Sequence, residues 1–322
     1  MQRVLNIIIM VLTDEELLAN VSKCCKPKTA AQHQKEARLL GRILGQPLWR
    51  IMHSPTSSYA KLKRAYPNIT TLKNKVSTVC KMFTASSHED ADERRQWQEL
   101  LKALADEQLT AVKTNQMPEK YADRIVDVDE VRTKANELAS MKPSDADRTL
   151  AGSLQRLLIV LLADIRPKRS DLGHVPIVST MEECKDTDKN YVVLPDDVKQ
   201  QAVLVMQRYK TDRHFGRVTE AFTARATRVL RESLKAWPRS HLFVDSRKRE
   251  PYTSNDIYGQ FVARTFSNMF DKKVGTALWR HIYASQAIDA NQPEAEREEI
   301  ARLMLHSTTQ NLRYRWVTQK KQ

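Results

Sequence analysis

The residues best suited to chemistry stand close to the end of the sequence. Arg280-His281-Ile282-Tyr283 comes first, then His306-Ser307-Thr308-Thr309-Gln310-Asn311-Leu312-Arg313-Tyr314. A tyrosine eight residues after a histidine, with arginines nearby, is a candidate nucleophile. Cations lower the cost of the phenolate and can then bind the charge on an attacked phosphate. Taken alone, the stretch favours a plainer reading, an amphipathic surface tyrosine among ordinary basic residues. What stands upstream reverses that.

Elements must position these groups. Glu294 to His306 sets Ala295, Ile300, Leu303 and Met304 on one face, as a helix leading into the histidine would. Leu150 to Ile165 is apolar nearly all round, the pattern of a buried central helix. It delivers the chain to Arg166-Pro167-Lys168-Arg169-Ser170-Asp171. Cations there can simply answer a helix C-terminus; packed together, with Asp171 behind them, they also suit an anion site. Tyr191–Leu194 and Ala202–Met206 are β-rich and predict a small antiparallel sheet. Gln207-Arg208-Tyr209-Lys210-Thr211 follows, a turn whose lysine could be solvated or could reach over a ligand. Thr219 to Trp237 reads as a helix ended by Pro238, and His241–Val244 as a short strand. Ser254 and its neighbours cap a further helix through Ile257, Phe261, Val262 and Phe266, which leads to Arg280.

The first part of the chain reads as helical throughout. Val4–Leu12 is apolar but too short to cross a bilayer, and predicts a buried first helix or strand. Thr13 and Glu16 form a capping-box pattern, and Thr29–Met52 is again helix-like. Tyr59, Leu62 and Tyr66 share one side of a segment that carries Lys61, Lys63 and Arg64. After Asn68, a second cap, Ile69, Leu72, Val76, Val79, Cys80 and Phe83 recur at helical spacing, with Lys73, Lys75 and Lys81 expected on the polar part. Such basic helices either bind DNA phosphates or are merely solvated. Ser86–Glu93 is a polar loop, Trp97–Leu109 and Val126–Leu138 are helices, and Ser140–Asp145 is a linker or a sharp turn. The expected division is a helical DNA-binding region, 1–142, and a catalytic domain, 143–322.

Composition agrees with a polyanion partner. The net charge is +14 and the isoelectric point about 9.6. A basic excess of this kind favours nucleic acid, with an acidic membrane surface second. Seven glycines in 322 residues argue against a glycine-rich phosphate loop. Cys24, Cys25, Cys80 and Cys184 have no zinc spacing and read as reduced thiols of an intracellular protein. No metal or organic cofactor is expected.

The order arginine, hairpin lysine, arginine, histidine, tyrosine resembles the tyrosine recombinase (phage integrase-like) family, and most of all its divergent branch in large DNA viruses and eukaryotic mobile elements. The resemblance runs from about Ser57 to the C-terminus. It is carried by Tyr209-Lys210-Thr211, Leu242-Phe243-Val244 through Asn255, Leu278-Trp279-Arg280-His281-Ile282-Tyr283 and Leu305-His306-Ser307 through Tyr314. It implies a mainly α (α+β) fold and a metal-independent enzyme that cuts and rejoins double-stranded DNA through a 3′-phosphotyrosine.

By that resemblance Tyr314 is the nucleophile, Arg280 the second arginine, His306 the histidine and Lys210 the general acid. The first arginine is Arg169, with Arg166 as the alternative. The family's arginine usually lies three residues before an acidic one, and here Lys168 holds that slot before Asp171. The position three before Arg280, often histidine, is Ala277. The resemblance also implies a tetramer clamped on two DNA sites. With eight residues after Tyr314, any exchange of helices between subunits would use other parts of the chain. Competing readings are a type IB topoisomerase, whose serine-lysine pair before the tyrosine is not seen here, a telomere resolvase, and a recombinase-derived DNA-binding protein without catalysis.

Overall fold

The computed structural model describes residues 12–86, 92–113, 116–288 and 292–316, with the main chain alone at 111–113. Most of the expected Val4–Leu12 element, the loop at 87–91 and the tail at 317–322 lie outside the described residues. The architecture is mainly helical with one small four-stranded sheet. The chain divides into two compact units, Met1–Thr114 and Asn115–Gln322.

The first unit holds helices α1 (Asp14–Cys24), α2 (Pro27–Leu44), α3 (Leu48–Met52), α4 (Pro55–Ala65), α5 (Ile69–Ala85) and α6 (Asp92–Lys113). Thr13 and Glu16 form the expected reciprocal cap of α1, and Asn68 caps α5 through the Thr71 amide at 3.1 Å. Leu18, Leu40, Ile51, Leu62, Val76, Phe83 and Trp97 fill the core. Trp97 brings a polar N–H inside and donates it to the Met52 carbonyl at 2.9 Å. One expectation is corrected here. Lys75 is not on a solvated face: it is buried, paired with Glu36 and 4.8 Å from the centre of the Tyr66 ring. On α4, by contrast, Lys61, Lys63 and Arg64 are exposed.

The second unit begins with a 3-10 turn, Glu119–Arg124, then α7 (Val128–Ser140), α8 (Pro143–Ala146) and α9 (Leu150–Asp164). Residue 142, the expected boundary, lies inside this unit, because α7 packs along α9. As expected, α9 is buried nearly all round. Its one internal charge, Arg156, is answered by Asp147 at 2.9 Å, Glu232 at 2.7 Å and the Leu138 carbonyl at 2.9 Å, the full pairing that a buried guanidinium requires.

After a 3-10 turn, Ser170–His174, come β1 (Ile177–Val178), β2 (Tyr191–Val193), β3 (Val203–Met206), α10 (Asp212–Phe215) and β4 (Val218–Ala221). The strands lie in sequence order. The sheet is mixed and not purely antiparallel: β1 runs parallel to β2, while β2–β3 and β3–β4 are antiparallel. The helix expected from Thr219 is in fact β4 followed by α11 (Ala224–Ala236). Thr223 separates them by accepting the Ala226 amide at 3.0 Å. The strand expected at His241–Val244 reduces to single bridges, Pro176 to His241 and Val244 to Pro251. Proline has no N–H to extend either ladder.

The chain closes with α12 (Asn255–Phe270), capped by Ser254, α13 (Thr276–Gln286), α14 (Glu294–Leu303) and α15 (Thr308–Tyr314). The aromatic residues Phe243, Tyr252, Tyr258, Phe261, Phe266 and Trp279 belong to the core beneath these helices. Among the described residues, no helix is long and apolar enough to cross a membrane.

Candidate active site

The site is assembled at the C-terminal end of α14. A helix leaves its last carbonyls without intrahelical partners, and its dipole makes that end attractive to cations. Here consecutive carbonyls are taken by three distant segments. Lys168 Nζ donates to Leu303, Arg280 Nη2 to Met304 at 2.9 Å, and Thr211 Oγ1 to Leu305 at 2.8 Å. The same helix end therefore gathers the segment after α9, the middle of α13 and the β3–β4 connection.

A Schellman turn follows. The Leu305 amide donates to Arg302 at 2.9 Å and the His306 amide to Ala301 at 3.1 Å. The turn needs a left-handed residue, and Leu305 takes φ 60°. A leucine there costs about 1–2 kcal/mol relative to an ordinary helical conformation. Its side chain is fully buried, which offsets the cost. Ser307 then caps α15 by accepting the Gln310 amide at 3.2 Å. His306 is thus fixed between two helix ends, and α15 carries Tyr314 back over it.

Tyr314, half-buried at the end of α15, lies against three groups. The Arg280 guanidinium carbon is 4.7 Å from its ring centre, the His306 ring 5.2 Å and the His281 ring 4.5 Å. Arg280 is only 1% exposed. Its Nε and Nη1 have no hydrogen-bond partner, and neither do His306 Nε2, Arg169 Nη1, Arg166 Nε and one carboxyl oxygen of Asp171. Buried polar groups without partners cost about 1–3 kcal/mol each. Their concentration at one place is what an anion-binding centre requires.

Electrostatics follow from this packing. Burial, then the nearby Arg280, Arg169 and Lys168, push the His306 imidazole down to about 4, against the pull of the Ser307 carbonyl. The imidazole is therefore neutral near pH 7. Its Nδ1–H donates to the Ser307 carbonyl at 3.1 Å, which leaves the Nε2 lone pair able to accept a proton. Burial lowers Arg280 to about 10, opposed by Tyr314 and Asp171. Asp171 is raised by burial, although Arg169, Arg280 and Lys168 all pull it down.

The basic run after α9 separates into distinct roles. Lys168 is 4% exposed, bound to Glu220 of β4 and to the end of α14, with burial lowering its pKa despite Glu220. Its ammonium donors are thus directed at internal partners. Arg166 gives its main-chain amide to Glu220 at 2.9 Å, and its charge bears on Tyr283 and Glu299. Arg169 is the member whose charge is felt by Asp171, Arg280 and His306 together.

Lys210 is exposed on the β3–β4 connection, next to Thr211, which is tied to the residue before His306. The structure therefore brings Arg280, His306 and Tyr314 into contact, places Arg169 within their field, and leaves Lys210 on an anchored loop. Sequence reasoning missed Glu220 and Trp316 as neighbours of the site, and gave His281, although it follows Arg280, no role of its own. It also passed over Ser307-Thr308-Thr309-Gln310, a capping pattern that marks the start of α15. No group of three or more histidine, cysteine, aspartate or glutamate side chains among the described residues could hold a metal ion.

No protein-family model matches this sequence, and no curated protein matches it. Among solved structures the chain is similar to XerA recombinase, with 13% identity, a TM-score of 0.41 and 94% of each chain covered.

Proposed function

We propose that this protein is a site-specific DNA recombinase that cuts and rejoins DNA through a tyrosine–phosphate bond. The observation that carries the reading is the set of unpartnered buried polar atoms on Arg169, Arg280 and His306, guanidinium donors and an imidazole acceptor, beside the Tyr314 ring. A phosphodiester in that space meets two guanidinium groups that can fork onto its non-bridging oxygens.

The chemistry then balances without a further reactant. The Tyr314 oxygen attacks phosphorus while its proton passes to His306 Nε2. The bond from phosphorus to the 5′-oxygen breaks, and the Lys210 ammonium protonates that oxygen. The products are a 3′-phosphotyrosine and a free 5′-hydroxyl. Attack by a 5′-hydroxyl on the phosphotyrosine reverses the steps and joins strands. Arg169 and Arg280 stabilise the additional negative charge of the five-coordinate phosphorus. The net charge of +14 supplies the attraction to duplex DNA.

Covalent trapping tests the proposal. Duplexes from the DNA flanking the gene, carrying 5′-bridging phosphorothiolates, are incubated in EDTA with wild type and Tyr314→Phe. The expected result is a protein–DNA adduct from wild type alone. Salt-sensitive DNA binding with no adduct from either protein would leave a DNA-binding protein and overturn the enzymatic reading.

A further inference from the structure

Tyr314 is the last residue of α15, and α15 is seven residues long. A helix so short has little stability of its own, and the carbonyl at its C-terminal end lacks an intrahelical partner. That partner comes from α13. His281, the residue after Arg280, donates its Nδ1–H to the Tyr314 carbonyl at 2.9 Å.

The same imidazole lies 4.5 Å from the Tyr314 ring and stacks on Trp316 at 4.7 Å and 10°. Trp316 is buried to 8% exposure. It is also stacked with Tyr121 at 5.7 Å and 25°. Its main-chain amide donates to Ser285 Oγ at 2.8 Å, and Ser285 donates in turn to the His281 carbonyl at 2.7 Å. The polar and the stacking contacts both converge on the segment that carries Tyr314, and the assignment made above to Arg169, Lys210, Arg280 and His306 uses none of them.

We infer that His281 and Trp316 are positioning residues for Tyr314, clamping the end of α15 onto α13 so that the phenol is held over Arg280 and His306 of its own chain. The inference rests on the recombinase reading for its catalytic meaning. One helix, α13, then carries both the anion binder Arg280 and the tether His281. The helix that carries the nucleophile is thereby tied to the element that carries one of the two phosphate-binding arginines.

The test separates positioning from mere packing. Full-length wild type, Trp316→Ala, Trp316→Phe and His281→Leu are compared on the phosphorothiolate duplexes by single-turnover cleavage. Each substitution is also made in Tyr314→Phe, where hydrogen peroxide replaces the phenol as nucleophile. Peroxide needs the phosphate-binding groups but no positioned tyrosine. Trp316→Ala and His281→Leu should lose at least about tenfold in tyrosine-mediated cleavage and keep peroxide-mediated cleavage, while Trp316→Phe should restore the tyrosine-mediated rate. Equal losses with both nucleophiles, or no loss with the tyrosine, overturn the inference.

Hydrogen exchange reads the clamp without DNA. The amides of 308–314 should exchange faster in Trp316→Ala and His281→Leu, with α9 unchanged; unaltered exchange at 308–314 overturns the clamp itself. A wild type that forms no adduct yet shows this exchange pattern defeats the recombinase reading and leaves the clamp standing.

Discussion

Lys168 and Leu303 are joined by a hydrogen bond from the lysine ammonium to the main-chain carbonyl, across 135 positions of sequence. The bond places the basic run after α9 under the end of α14. It also removes Lys168 from the set of cations open to an anion, because Glu220 takes the rest of its charge.

Lys168 and Arg169 should therefore fail in different ways. Lys168→Met removes the ammonium partner of Glu220 and should destabilise the protein by about 3–5 kcal/mol. Lys168→Met with Glu220→Leu should recover much of that. Arg169→Ala should change stability little and slow strand cleavage on the order of a hundredfold or more. Urea unfolding and single-turnover cleavage, run on the same preparations, separate the two. Normal cleavage by Arg169→Ala would return the role to Arg166.

Lys210 should matter only when the leaving group needs a proton. Lys210→Ala should slow cleavage of an ordinary phosphodiester by on the order of a hundredfold. With a 5′-bridging sulfur the leaving thiol has a pKa of about 8.5 and departs without help. The variant should then match wild type on the phosphorothiolate duplex. A defect of equal size on both substrates would assign Lys210 to DNA binding.

His306 makes stability depend on pH in a defined window. An unfolded imidazole binds its proton below pH 6.5, whereas the native one does so only near 4. Between those values the unfolded state holds more protons, so stability falls as the pH drops from 6.5 towards 4, by roughly 3 kcal/mol in all. His306→Gln should lack this contribution. Denaturant unfolding at pH 7 and pH 4.5 reads the difference between the two proteins.

In the first unit the basic residues should divide by exposure. Replacing Lys61, Lys63 and Arg64 with alanine should weaken DNA binding and flatten its salt dependence, by about one unit of slope for each phosphate no longer neutralised. Lys75→Met should leave the salt slope unchanged and lower the melting temperature, since its charge is spent on Glu36. Titrations at several salt concentrations, with thermal unfolding alongside, check both.

The helical character, the buried α9 and the caps at Thr13, Asn68 and Ser254 were legible because each is a local signal within one turn of helix. So was the grouping of Arg280, His306 and Tyr314. These residues stand in two short stretches near the end of the sequence, in the order that the resemblance to the tyrosine recombinase family implies. What was not legible depends on contacts far apart in the chain. Nothing near Lys168 announces that its partner is Glu220, and Glu220 itself sat in a segment read as helix. Lys75 looked solvated because helical periodicity does not reveal a carboxylate arriving from α2. His281 was visible as a neighbour of Arg280, yet its role depends on a carbonyl at the other end of the described site.

The end of α14 also sets a rule about chain length. Each residue added to a helix advances its end by about 1.5 Å and turns it by about 100°. Leu303, Met304 and Leu305 offer their carbonyls to three separate segments, so a single insertion or deletion inside Glu294–Leu303 would misdirect all three together. Side chains on the outer face of that helix are free to vary. Its number of residues is not, and this ten-residue segment acts as a ruler for the site.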